Sequence, residues 1–132
     1  MKTKYSLVLF ILLFPVFVYA QQGNTMSSPL EVGTFGSDFE YSDTKNTGDF
    51  TNNYGTFHND IFYRFTVTTR MRVIISHCGS LILDTSIDLL NASGKKVTGA
   101  SGYDGSYVCS ESGQGYLSIV LEPGTYYAGS EV

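Results

Sequence analysis

The sequence predicts an all-β protein, an antiparallel sandwich of about seven to eight short strands. Three observations carry this. Apolar and polar residues alternate at a period of two in several short runs, and no run has a convincing helical period. Turn-forming residues punctuate those runs, with 14 glycines in 132 residues. Two cysteines, Cys78 and Cys109, are spaced to staple one stretch of strand to another.

Residues 1–20 are expected to be a secretory signal peptide. Lys2 and Lys4 form a short positive region, and Ser6–Val18 is an apolar run. Val18-Tyr19-Ala20 places small or apolar residues before a cut at Gln21. A membrane anchor is the rival reading. It is disfavoured because the run is shorter than the ~20 apolar residues a spanning helix needs. No basic stop-transfer cluster follows it, and no cysteine follows the cut to take a lipid anchor. Cleavage leaves 112 residues, one small domain. The net charge moves from −4 to −6, since both lysines leave. With its few basic residues scattered, such a surface disfavours nucleic acid and anionic membranes.

The remaining chain divides at residue 30. Residues 21–29 are polar and rich in Ser, Asn and Gln, which predicts a flexible leader. Residues 30–132 form the sandwich. Within it, Phe39 and Tyr41 flank Glu40 and suggest a half-buried first strand. Asn46–Tyr54 is turn chemistry throughout and reads as a surface loop. Asn59–Cys78 is the core pair. Ile61, Tyr63, Phe65 and Val67 share an inward face, and Met71, Val73 and Ile75 repeat the pattern. Arg72 and Ser76 face out, and Ile74 fits neither face cleanly. Thr85–Leu90 is a further strand, with Asn91-Ala92-Ser93-Gly94 as its hairpin turn. Lys95 and Lys96 then protect a sheet edge against foreign strands. Tyr107–Cys109 is a short strand. Tyr116–Leu121 alternates again, with Leu117, Ile119 and Leu121 inward. Glu122-Pro123-Gly124 turns the chain into a last strand that is expected to be cut short at Val132. On that reading the chain is part of a larger polypeptide.

In an exported protein Cys78 and Cys109 are expected to pair. Closing a loop of about 30 residues contributes roughly 3–4 kcal/mol in the chain-entropy model. The alternative is a catalytic thiol, for which His77 is the nearby basic partner. Adjacent residues of a strand point to opposite faces, so His77 is poorly placed to activate Cys78.

Four motifs occur in order: Asn59-Asp60-Ile61-Phe62-Tyr63-Arg64-Phe65-Thr66-Val67, then Val73-Ile74-Ile75-Ser76, then Asp84–Gly94, then Leu121–Tyr127. Together they resemble the bacterial pre-peptidase C-terminal (PPC) domain, a jelly-roll-like β-sandwich. The resemblance covers residues 57–129. The cysteine pair and residues 30–54 are similar to modules near the N-termini of secreted or surface proteins of Bacteroidetes, some with RHS-type repeats. The resemblance implies a non-catalytic accessory module. Members accompany secreted peptidases, and some bind collagen, other polymers or calcium. No peptidase or repeat region accompanies the module in this sequence.

Candidate chemistry is sparse. Asp84, Asp104 and Asp60 are the candidate calcium ligands, with Asp88 near the first. Calcium needs several converging oxygens, and none of these aspartates has the dense spacing of a calcium loop. Turn-capping, solvated carboxylates are the favoured explanation for them. His58 and His77 have no zinc spacing. There is no Gly-x-Ser-x-Gly elbow and no phosphate-cradling glycine loop. Tyr41, Tyr54, Tyr103 and Tyr107 are the candidate ligand-facing aromatics, against a purely structural role for each. The expected function is therefore an accessory, adhesion or spacer module of a secreted or cell-surface protein, touching an extracellular protein or polysaccharide, with no catalysis. The alternative is a calcium-dependent, lectin-like binding domain.

Overall fold

The computed structural model describes residues 20–55, 58–82, 84–102, 108–109 and 113–131, without the side chains of 98–102. The expected signal peptide lies outside the described residues, apart from Ala20. Tyr103, Asp104 and Tyr107 also lie outside them.

Seven strands form two sheets: β1 (Leu30–Phe35), β2 (Asp60–Val67), β3 (Met71–Ser76), β4 (Ser86–Asn91), β5 (Lys96–Gly102), β6 (Tyr116–Leu121) and β7 (Gly124–Glu131). The larger sheet has the order β1-β2-β7-β4-β5, and the smaller is the pair β3-β6. No α-helix occurs among the described residues; a single 3-10 turn spans Thr47–Asp49. The all-β sandwich expected from the alternation is therefore present.

The core lies between the sheets. Phe65 and Val67 of β2, Val73 of β3, Ile87 and Leu89 of β4, Leu117 and Leu121 of β6, and Ala128 of β7 form one buried cluster. Each is an inward position of a period-two strand, so the pattern in the sequence is the pattern of burial. Ile74, the position that fits neither face cleanly, is 57% exposed on the outer side of β3. Cys78 and Cys109 are bonded, with Cα atoms 5.0 Å apart. Lys96 lies on the edge strand β5 and pairs with Asp88 at 2.7 Å.

Four expectations need correction. The strand near Phe39 and Tyr41 lies earlier, at Leu30–Phe35, and residues 36–46 are irregular. Phe39 instead stacks on Phe35, with ring centroids 3.4 Å apart. Second, β1 runs parallel to β2, so the sheet is not wholly antiparallel. A parallel neighbour needs a long crossover, and residues 36–59 supply one. Third, the polar leader is ordered. The Phe62 N–H donates to the Gly23 carbonyl at 2.7 Å, and the Thr51 N–H donates to Asn24 Oδ1 at 2.9 Å. This segment covers the outer face of the large sheet, where Phe62 and Leu90 are buried at 1% and 0% exposure. Gly23, at φ +92°, has no room for a side chain, since a Cβ would sit 2.9 Å from the Phe50 ring. β7 pairs with β2 from Gly124 to Glu131 and with β4 from Tyr126 to Glu131. Fourth, residues 108–109, expected to end a short strand, form a turn and bend.

Candidate functional site

Two strands cannot cover five. The uncovered inner face of the large sheet opens into a cleft of about 1230 Å³. β3 borders one side of it and residues 38–47 the other, and Ile61, Tyr63 and Phe65 lie on its floor. Asp43 is the polar hub of the irregular side. Its carboxylate pairs with Lys45 at 3.1 Å and accepts long hydrogen bonds from Tyr41 and Tyr63, at 3.4 and 3.5 Å. Burial pushes both phenols above the usual tyrosine range, and the Asp43 charge adds to it. Both stay protonated and donating. Tyr41 meets Tyr63 edge-on at 6.3 Å. Of the four candidate aromatics, Tyr41 is exposed at the cleft, at 45%. Tyr54 is on the opposite face of the sheet, packed edge-on against Phe62.

At one end of the cleft a chain of polar groups ties three strand ends together. Ser130 Oγ lies 2.8 Å from His77 Nε2, and His77 Nδ1 lies 2.8 Å from Thr85 Oγ1. The atoms are ordered as in a nucleophile–base–orienter relay. Thr85 is buried, and its oxygen also accepts the Gly115 N–H at 2.8 Å. A hydroxyl has one proton and two lone pairs, so Thr85 can donate to His77 Nδ1 or accept from it, and the ring then donates to Ser130 or accepts from it. In either tautomer the three side chains clamp the strand ends together. Burial lowers the His77 pKa, which favours the neutral ring this arrangement requires. Gln114, fully buried, makes a second clamp: its amide donates to the Ser80 carbonyl at 2.7 Å and accepts the Gly79 N–H at 3.2 Å. The disulfide leaves Cys78 no thiol to activate.

The acidic candidates separate. Asp84 is exposed, in left-handed backbone at φ 67°. Asp88 is held by Lys96. Asp60 is fully buried at the head of β2. Its Oδ2 accepts the N–H groups of Asn53 and Tyr54, both at 2.6 Å, and so fixes the 51–55 loop. Its Oδ1 is buried with no hydrogen-bond partner among the described residues. Glu131 is the directly opposed residue on β7. One of its carboxylate oxygens accepts from Ser86 Oγ at 3.1 Å, and the other rests against Gly55. Burial raises the pKa of both acids, and for Glu131 the nearby Asp60 charge adds to the rise. Among the described residues no three His, Cys, Asp or Glu side chains cluster as a metal site. Asp60, Asp84 and Asp88 are thus not gathered into one metal cluster.

Sequence reasoning missed Thr85, Gln114, Ser130 and Glu131. Each is an ordinary polar residue near a strand end, and only the register gives it a partner. Comparison with family models, curated proteins and solved structures gave no match.

Proposed function

We propose that the chain is an exported, non-catalytic module that binds or spaces within a secreted or surface protein, in the manner its PPC-like motifs imply. The observation that carries this reading is the polar clamp at His77. The arrangement nearest to a catalytic relay is closed on itself, with both imidazole nitrogens bonded to hydroxyls at strand ends, and the second reactive residue type, cysteine, is locked in a disulfide. The oxidised pair and the apolar Ser6–Val18 run support export. Two measurements test the reading together. The purified protein should be retained on at least one insoluble extracellular matrix, such as collagen or a cell-wall polysaccharide. It should also show no turnover of nitrophenyl esters, peptides or glycosides. Turnover that Ser130→Ala abolishes, in a variant that still melts cooperatively, would overturn it.

One observation favours the calcium-dependent alternative. A buried carboxylate oxygen with no partner among the described residues, Asp60 Oδ1, is a ligand type calcium uses, and Glu131 and Ser86 lie beside it. A melting temperature that rises in millimolar calcium and falls back with chelator supports this reading. An unchanged melt counts against it.

A further inference from the structure

The open edge of β3 borders the cleft, and its hydrogen-bonding groups can be assigned. The His77 N–H donates to the Gly115 carbonyl at 2.8 Å, continuing the β3-β6 register by one pair. Directly opposed residues that exchange hydrogen bonds alternate with pairs that do not. Met71, Val73 and Ile75 therefore bond to β6. The N–H and C=O groups of Arg72, Ile74 and Ser76 point the other way. They have no hydrogen-bond partner among the described residues. Both inward and outward residues of β3 line the cleft. That is expected where the strand's edge, rather than either face, forms the wall.

The other edges are treated differently. The β5 edge of the large sheet carries Lys95 and Lys96, and the β1 edge carries the Arg64–Glu31 ion pair at 2.6 Å. β3 has no such lysines. A two-stranded sheet is marginal by itself, and the floor beside its open edge is apolar. The charges on the two sides of the slot are also opposite. Arg72 is exposed and donates to Ser118 at 3.3 Å, with no carboxylate partner among the described residues. Across the slot Asp38 and Glu40 are exposed, with no cationic partner among the described residues.

We propose that this slot takes an extended segment of a partner polypeptide, added as a third strand along β3. The segment alternates apolar and polar side chains. It carries a carboxylate opposite Arg72 and a cationic residue toward Asp38 and Glu40. Main-chain bonds to Arg72, Ile74 and Ser76 supply the register, and the side chains supply selectivity. Inward apolar side chains lie over Tyr63 and Ile61, and an outward threonine sets its methyl group against Ile74. This gives the binding reading above a site and a ligand class, and it rests on that reading only in taking the module to bind protein.

The test uses a pooled library of eight-residue peptides alternating valine with threonine, glutamate or lysine. Binding is followed by amide chemical shifts and amide hydrogen exchange. The expected result is slowed exchange at Arg72, Ile74 or Ser76, carried by peptides holding both Glu and Lys. Backbone N-methylation of the best peptide should weaken it at least tenfold, because it removes the ladder donors while keeping the side chains. Arg72→Glu should weaken it about tenfold, and exchanging that peptide's Glu for Lys should restore it. No response at β3 from the whole library at millimolar concentration overturns the proposal. Equal binding of the N-methylated peptide also overturns it. Concentration-dependent protection of β3 without peptide does so too, and assigns the edge to a second copy of this chain. Matrix retention that persists when the library fails would separate this failure from that of the binding reading.

Discussion

Asp60 offers a substitution pair that separates hydrogen bonding from charge. Asp60→Ala removes the acceptor of two short N–H bonds from Asn53 and Tyr54. Hydrogen bonds to a charged group contribute about 1.5–3 kcal/mol each, so the loss is about 3–6 kcal/mol. For a domain of this size about 1 kcal/mol moves the midpoint by roughly 4 °C, giving a fall of more than about 10 °C. Asp60→Asn keeps an acceptor of the same shape, removes the charge facing Glu131 and puts an amide donor within its reach. Its change is expected to stay within about 1 kcal/mol of wild type. The pH dependence follows from the direction of the shift. Burial raises the Asp60 pKa, so the folded protein holds this proton more tightly than the unfolded chain. That contribution is full below the unfolded carboxylate value and is lost as pH rises through the folded one. Wild-type stability minus that of Asp60→Asn should therefore fall as pH rises from about 4 toward neutrality. Urea titrations across that range measure it. Alanine and asparagine variants that melt alike, or a difference that grows with pH, would refute the reasoning.

Four further expectations concern the clamps and the outer face. Replacing Cys78 and Cys109 together by serine should cost about 3–4 kcal/mol in urea, with midpoint and slope both reported, since the bridge closes a 31-residue separation. Thr85→Val orphans the buried Gly115 N–H and strips His77 of a partner, so it should cost about 2–3 kcal/mol by thermal melt, whereas Thr85→Ser should cost less than about 1.5. The lowered His77 pKa acts opposite in sign to Asp60: its contribution is present above the unfolded histidine value near 6.5 and is lost as pH falls through the folded one, a slope that His77→Gln should flatten. Gly23→Ala should destabilise by about 1–3 kcal/mol through backbone strain and the clash with Phe50, seen as faster exchange of the Phe62 amide.

The legible part of this fold is its inner face. Ile61 through Val67, Val73, Ile87, Leu117 and Leu121 announce themselves by alternation, because a half-buried strand must alternate. The cysteine pair is legible for a compartmental reason. What alternation does not carry is the outer face. Phe62 sits among Arg64 and Thr66, and nothing local says that Tyr54 will pack against it or that its N–H will bond to Gly23. Composition makes the 21–29 segment look like a tail, yet its polar groups are those that bond to the loop around Thr51 and Asn53. Phe39 and Tyr41 mislead for a related reason. They anchor an irregular segment through ring contacts, and two aromatics with a polar residue between imitate a strand. The candidate site is hardest to read, since an edge is defined by what does not pair. Only the register shows which amides of β3 point outward.

The placement of β7 has a consequence for how this chain is made. It is the last strand in sequence, yet it lies at the centre of the large sheet, bonded to β2 on one side and β4 on the other. Its partners on β2 precede it by 57 to 71 residues. The large sheet therefore cannot close until residues 124–131 have emerged; β2 and β4 wait as two unjoined edges. Such non-local topology folds slowly and exposes apolar surface meanwhile. In a chain built this way, closure of the large sheet follows delivery of β7.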